Sequence, residues 1–236
     1  SINLARILAQ SVYYLYAWLK LPSMQRSETA FVVPTGNFGN VFAGWLLTKM
    51  GIKISEFRVA TNQNDVLHRL FSTGEYSLGK VAPSLAPSMD IQVASNFERL
   101  LYYFLDGNSS KLVEVMNRFR ADGEYSFDNF DVPGFSSVSA TDSEIPGLIR
   151  KIKDSYGYLA DPHTACAFKD LSPHKKAVIL ATAHPAKFPS IYESEGMEVP
   201  FSPTLDKLKS RHPQFYEVSV DSTSIRSFII ENLRQS

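Results

Sequence analysis

Two glycines three residues apart mark the stretch of this chain best suited to hold an anion. They lie in Thr35-Gly36-Asn37-Phe38-Gly39-Asn40, between a β-branched apolar run and a helical pattern. Glycine accepts positive φ and admits a ligand close to the main chain. A helix start presents N–H groups with no intrahelical acceptor, so the loop is suited to a phosphate. No Lys-Ser or Lys-Thr follows it, and it is not G-x-G-x-x-G, so a nucleotide is not indicated. A βα turn without any ligand fits the same residues. Two more polar loops follow apolar runs: 61–64 after Phe57-Arg58-Val59-Ala60, and 182–184 after Ala177-Val178-Ile179-Leu180-Ala181. In an open parallel sheet, ligands bind beyond the C-terminal strand ends, and all three loops have that address. The histidines give no metal pattern: His163 and His184 are not spaced as a pair, and Cys166 after His163 lacks further ligands. Cys166, among small residues, reads as packing on a helix. Asp161-Pro162-His163-Thr164 reads as a helix start, with a capping Asp and Pro at the first position.

The elements that must position these loops follow the rhythm of an α/β layered domain. Residues 4–19 carry Leu4, Ile7, Leu8, Val12, Leu15 and Leu19 at helical spacing, which predicts one buried stripe. Ala30-Phe31-Val32-Val33 reads as a fully buried strand of a parallel sheet, and a helix follows from about Val41 to Met50. Strand 57–60 and a helix near 65–71 repeat the pattern. Helices are predicted at 95–105, 111–120, 149–156 and 224–233. The run 177–181 is the strongest parallel-strand candidate, and residues 72–90 read as loop. The 236 residues carry 24 Lys plus Arg against 24 Asp plus Glu. That balance removes any global electrostatic reason for a nucleic-acid or anionic-membrane partner. With 44% hydrophobic residues the chain can bury a sizeable core, and one cysteine allows no internal disulfide, which fits a reducing, cytoplasmic setting. The chain opens in Ser-Ile-Asn, directly into a helical pattern, and is expected to be a piece of a longer protein.

Taken together, several segments resemble threonine synthase. They are Ser1-Ile2-Asn3 leading to Arg6-Ile7-Leu8-Ala9-Gln10, Pro34 to Asn40, Ala60 to Asp65 with Ser95-Asn96-Phe97-Glu98-Arg99, and Asp161 to Thr164 with Thr182 to Phe188. The resemblance runs in order along nearly the whole chain and is weakest at about 106–150 and after 200. It implies a pyridoxal-5'-phosphate enzyme of the fold-type-II architecture, a parallel-sheet α/β domain with an insertion, converting O-phospho-L-homoserine and water to L-threonine and phosphate. By position, it places the cofactor phosphate on Gly36, Asn37, Phe38, Gly39 and Asn40. It places Thr182 against the pyridine nitrogen, where a neutral hydroxyl, unlike a carboxylate, does not hold the ring protonated. Asn62 and His184, on loops at the same sheet edge, are given supporting roles toward the substrate, and Arg99 is read either as meeting the substrate phosphate or carboxylate or as a helix-surface ion pair. The implied division is 1–105 for the first part of the cofactor domain, 106–156 for an insertion, and 157–236 for the remainder and a C-terminal tail.

One departure dominates. The family's Schiff-base lysine and its Ser-Gly-Asp-Thr-Gly loop precede the point where this chain starts. Phe168-Lys169-Asp170 copies the lysine motif only superficially, and Lys169 reads as a solvated helix residue. The expectation is therefore a C-terminal portion that is inactive alone, needs the N-terminal part of the same protein, and forms a monomer or weak homo-oligomer. The rival readings are a threonine-synthase-like phospho-lyase and a non-catalytic binding module.

Overall fold

The computed structural model describes residues 3–213 and 215–233. In chain order the elements begin with α1 (Leu4–Lys20), β1 (Ala30–Pro34), α2 (Gly39–Lys49), β2 (Glu56–Thr61) and α3 (Val66–Thr73). The middle holds β3 (Glu75–Ser77), α4 (Phe97–Phe104), α5 (Ser109–Asp122), β4 (Glu124–Ser126), β5 (Phe135–Ser139) and α6 (Ile145–Tyr156). Then come α7 (Pro162–Cys166), β6 (Ala177–Ile179), α8 (Pro189–Ser194), α9 (Pro203–Lys209) and α10 (Ser222–Leu233). The four strands of the main sheet are all parallel and lie in the order β5-β2-β1-β6. From β1 the chain builds outward through β2 to β5, then returns to place β6 on the other side of β1. The strand order therefore reverses between β1 and β6.

Period-two alternation explains why β1 is buried on both faces. Phe31 and Val33 enter a core with α1 to α5, whereas Val32 enters a second core with α6, α7 and α8. β2 repeats the split, with Phe57 and Val59 in the first core and Ala60 in the second. α2 is buried on nearly every side, and its Gly44 lets α1 and β2 close in. A Cβ at Gly44 would stand 2.4 Å from the Tyr14 ring and 2.7 Å from the Phe57 ring.

Three differences from the sequence expectation have physical causes. α1 is a helix, capped by Asn3, whose side chain accepts from Ala5 N at 2.9 Å, but its predicted stripe is largely open. Ile7 and Tyr14 are the buried residues; Leu4, Leu8, Val12 and Leu19 are exposed, because α1 packs chiefly on α2. β5 lies within the stretch expected as an insertion, yet it pairs with β2 from Phe57↔Phe135 to Thr61↔Ser139 and forms part of the main sheet. β6 is shorter than the 177–181 run and half-buried, because β1 is its only neighbour among the described strands. A small antiparallel pair, β3 with β4, lies outside the main sheet.

The chain divides into two compact units at Pro200. The second contains α9 and α10, with Tyr216 and Phe228 rings 5.1 Å apart. No helix among the described residues is long and apolar enough to cross a membrane.

Candidate functional site

The reversal of strand order puts the loops after β1 and β6 side by side, where α/β sheets bind ligands. A cavity of about 560 Å³ opens between them. One wall is Pro34 to Asn40 and the opposite wall is Leu180 to Ala183. Ser88, Met89 and His163 supply a third side, and Arg6, Gln10 and Tyr13 of α1 a fourth. No carboxylate and no lysine lines the cavity among the described residues.

The loop after β1 is held from several directions. Thr35 N donates to Ala60 O at 2.9 Å, and Asn37 O accepts from both the backbone N and the side chain of Asn96 at 3.1 Å. Tyr14 Oη donates to Asn40 O at 2.8 Å. A Cβ at Gly36 would come within 3.1 Å of Met89 Cα, so glycine allows the two segments to close. The residue with positive φ is not a glycine, as the sequence suggests, but Phe38, at φ 62°. The left-handed backbone costs roughly 1–2 kcal/mol for a residue with a Cβ. It is offset because the ring is fully buried, 5.8 Å from Phe97 and 6.0 Å from Phe71 between centroids. Phe38 thus anchors the loop in the core, and α2 starts at Gly39 with its first N–H groups free of intrahelical acceptors. The Asn40 Oδ1 atom is buried without a hydrogen-bond partner. Oriented N–H groups, the positive helix end and the Arg6 guanidinium together fit a compact anion.

The second wall depends on Asp161, at the start of α7. Its Oδ1 accepts from His163 N at 2.9 Å, from His163 Nδ1 at 3.0 Å and from Thr164 N at 3.3 Å, and Oδ2 accepts from Thr164 Oγ1. Burial alone would raise this carboxyl's pKa, but the hydrogen bonds from His163 and Thr164 outweigh it and keep it below the ordinary carboxylate value. Thr164 Oγ1 in turn accepts from Thr182 N at 3.3 Å. Cys166 lies at the end of the same helix, and burial pushes its thiol up to about 12.

Gly36, Asn37, Phe38, Gly39, Asn40 and Thr182 therefore line one cavity. Asn62, Arg99 and His184 do not. Asn62 is buried in a loop-holding cluster, its Nδ2 donating to Ser84 Oγ at 2.7 Å and Asp90 Oδ1 at 2.6 Å. Arg99 lines a separate surface depression with Phe42 and Tyr102, its Nε donating to Asn96 Oδ1 at 3.2 Å. His184 is exposed and accepts from Ala186 N through Nδ1 at 3.2 Å. Lys169 lies in the turn after α7 rather than on a helix, paired with Glu144 at 2.7 Å. The sequence reading did not single out Arg6, Gln10 and Tyr13 as site residues. Their spacing of four and three marks one helix face, a signal masked by the stronger apolar pattern around it.

A family model described as threonine synthase, C-terminal, matches residues 163–229. The chain is 43% identical over 206 residues to threonine synthase from Pseudomonas aeruginosa, covering 84% of this chain and 44% of that protein. It is similar to a crystal structure of PLP-bound threonine synthase from Brucella melitensis, with TM-score 0.86 and 36% identity, covering 98% of this chain and 52% of the other. The threonine synthase structure from yeast gives TM-score 0.81 at 31% identity, covering 100% and 53%. The parallel-sheet α/β fold is thus the one that the resemblance implies, and the chain spans about half the length of the relatives it matches. The chain belongs to the threonine synthase family and corresponds to its C-terminal portion.

Proposed function

We propose that this chain forms the phosphate and pyridine side of a pyridoxal-phosphate site in an enzyme converting O-phospho-L-homoserine and water to L-threonine and phosphate. The observation carrying this reading is the pairing, across one cavity, of the open N–H groups at the start of α2 with Thr182 beyond β6. When bound, the cofactor supplies an electron sink that stabilises negative charge on substrate carbon.

The chain's own residues then have separable tasks. Main-chain N–H groups at Gly39 and Asn40 hold the phosphate, and Arg6 adds positive charge at the mouth. Thr182 offers a neutral hydroxyl to the ring nitrogen, which leaves the ring less electron-withdrawing than a carboxylate partner would. The walls formed by Met89 and Leu180 exclude water from one side. The amine that carries the cofactor comes from the N-terminal part of the full-length protein. In support, no lysine lines the cavity among the described residues, and Lys169, Lys175 and Lys176 are held by Glu144, Glu56 and Glu28.

The experiment is equilibrium titration of the full-length protein with pyridoxal phosphate. Gly39→Val should weaken binding by at least tenfold, because a β-branched side chain obstructs the helix start and the anion's approach. Unchanged affinity would reject the phosphate assignment. Borohydride reduction and peptide mapping should place the pyridoxyl group outside these 236 residues; a stoichiometric modified lysine inside them would reject the division of labour.

A further inference from the structure

Asp161 is satisfied far beyond what a helix cap requires. A cap at the start of α7 needs only the N–H groups of His163 and Thr164, and Asp161 Oδ1 takes both. The second oxygen receives the Thr164 hydroxyl proton. With its proton committed there, Thr164 Oγ1 can only accept from Thr182 N, at 3.3 Å. This is the one hydrogen bond made by the main chain of 181–183 among the described residues.

The same carboxylate braces the neighbouring wall. His163 Nε2 accepts from Ser88 N at 3.1 Å, so the ring proton lies on Nδ1 and points to Asp161. Asp161, His163 and Thr164 are all at least 97% buried. One desolvated carboxylate thus connects Thr182 on one side of the cavity with Ser88 on another. An alanine at 164 would leave the cap intact and cut this connection.

We infer that Asp161 and Thr164 are positioning residues that fix the loop carrying Thr182, so that its hydroxyl meets the cofactor ring at a set height. The inference rests on the reading of Thr182 given above. Thr164 acts through Thr182 and touches neither cofactor nor substrate.

The test is a double-mutant cycle of Thr164→Val and Thr182→Val in the full-length protein. The readouts are pyridoxal-phosphate affinity and the visible absorption band of the bound cofactor. Thr164→Val alone should weaken binding about tenfold, the scale of one unmade buried hydrogen bond, and shift the band. Added to Thr182→Val it should change nothing further, because the group being positioned has gone. Thr164→Ser, which keeps the hydroxyl, should stay within about twofold of the natural protein. An equal effect of Thr164→Val in both backgrounds, or none in the natural one, overturns the inference and leaves the role of Thr182 standing. No effect of Thr182→Val on affinity or band overturns that role and the inference with it. Should Thr164→Val fail to fold, Thr164→Ala, which also leaves the cap intact, replaces it in the cycle under the same expectations.

Discussion

Gly44→Ala should destabilise the protein although alanine is the better helix former. An ideal Cβ would stand 2.4 Å from Tyr14 Cε1 and 2.7 Å from Phe57 Cε1. Favourable carbon contacts need about 3.5–4.0 Å, so the Tyr14 ring must retreat by roughly 1 Å. It has little room: the ring is fully buried, 5.1 Å from Phe31 and 6.2 Å from Phe57 between centroids. Retreat also strains the hydrogen bond from Tyr14 Oη to Asn40 O, now 2.8 Å. Overpacking costs about 1–3 kcal/mol, the hydrogen bond about 1 kcal/mol, and helix propensity returns about 1 kcal/mol. The net expectation is a loss of about 1–3 kcal/mol, read as a lower urea midpoint at unchanged slope. Gly147→Ala is the matched control, because a Cβ there meets nothing within 4 Å in α6. It should raise the midpoint by up to about 1 kcal/mol of stability. Because Tyr14 braces Asn40, Gly44→Ala should also weaken pyridoxal phosphate severalfold, whereas Gly147→Ala should not. A midpoint that rises equally in both variants would refute the close-approach argument.

Phe38→Ala should lose about 3–5 kcal/mol in the same denaturation assay, since the anchoring ring is lost while the left-handed backbone still carries a Cβ. Retention of the natural midpoint would contradict the anchoring role. Glu144 is held at a pKa of about 2, below its ordinary 4.5, first by the hydrogen bond from Lys169 and then by those from Thr141. A depressed carboxyl stabilises the fold above its unfolded pKa and loses that contribution as pH falls through the folded one. The midpoint gap between the natural protein and Glu144→Gln should therefore be full at pH 6 and close between about 4.5 and 2; a gap independent of pH would argue against it. Cys166 should resist an aromatic disulfide reagent at pH 8 in the native state and react on unfolding, as peptide mapping can show, because burial raises its thiol to about 12.

Much of the frame was legible because one strand and one helix start carry strong local signals. The unbroken β-branched apolar run at 30–33, stopped by Pro34, reads as a strand buried on both faces, and the Asp161-Pro162 step announces a helix start through known capping chemistry. β5 was hidden, since Ser136, Ser137 and Ser139 spoil any alternation and its existence depends on pairing with β2. Glycines suggested positive φ, but Phe38 adopts it, because tertiary burial of the ring overrides local preference. The links from Asp161 through Thr164 to Thr182, and from His163 to Ser88, join residues 18 and 75 positions apart at their longest. No spacing rule reaches that far.

The free side of β6 has a practical consequence for anyone handling this chain by itself. Among the described strands β6 has β1 as its sole neighbour, so its outer side offers main-chain groups to an extended segment. Expressed without the remainder of its protein, the chain has a template for growing sheet from copy to copy. Light scattering of such a preparation would then report self-association through β6, and the apparent size would rise with concentration.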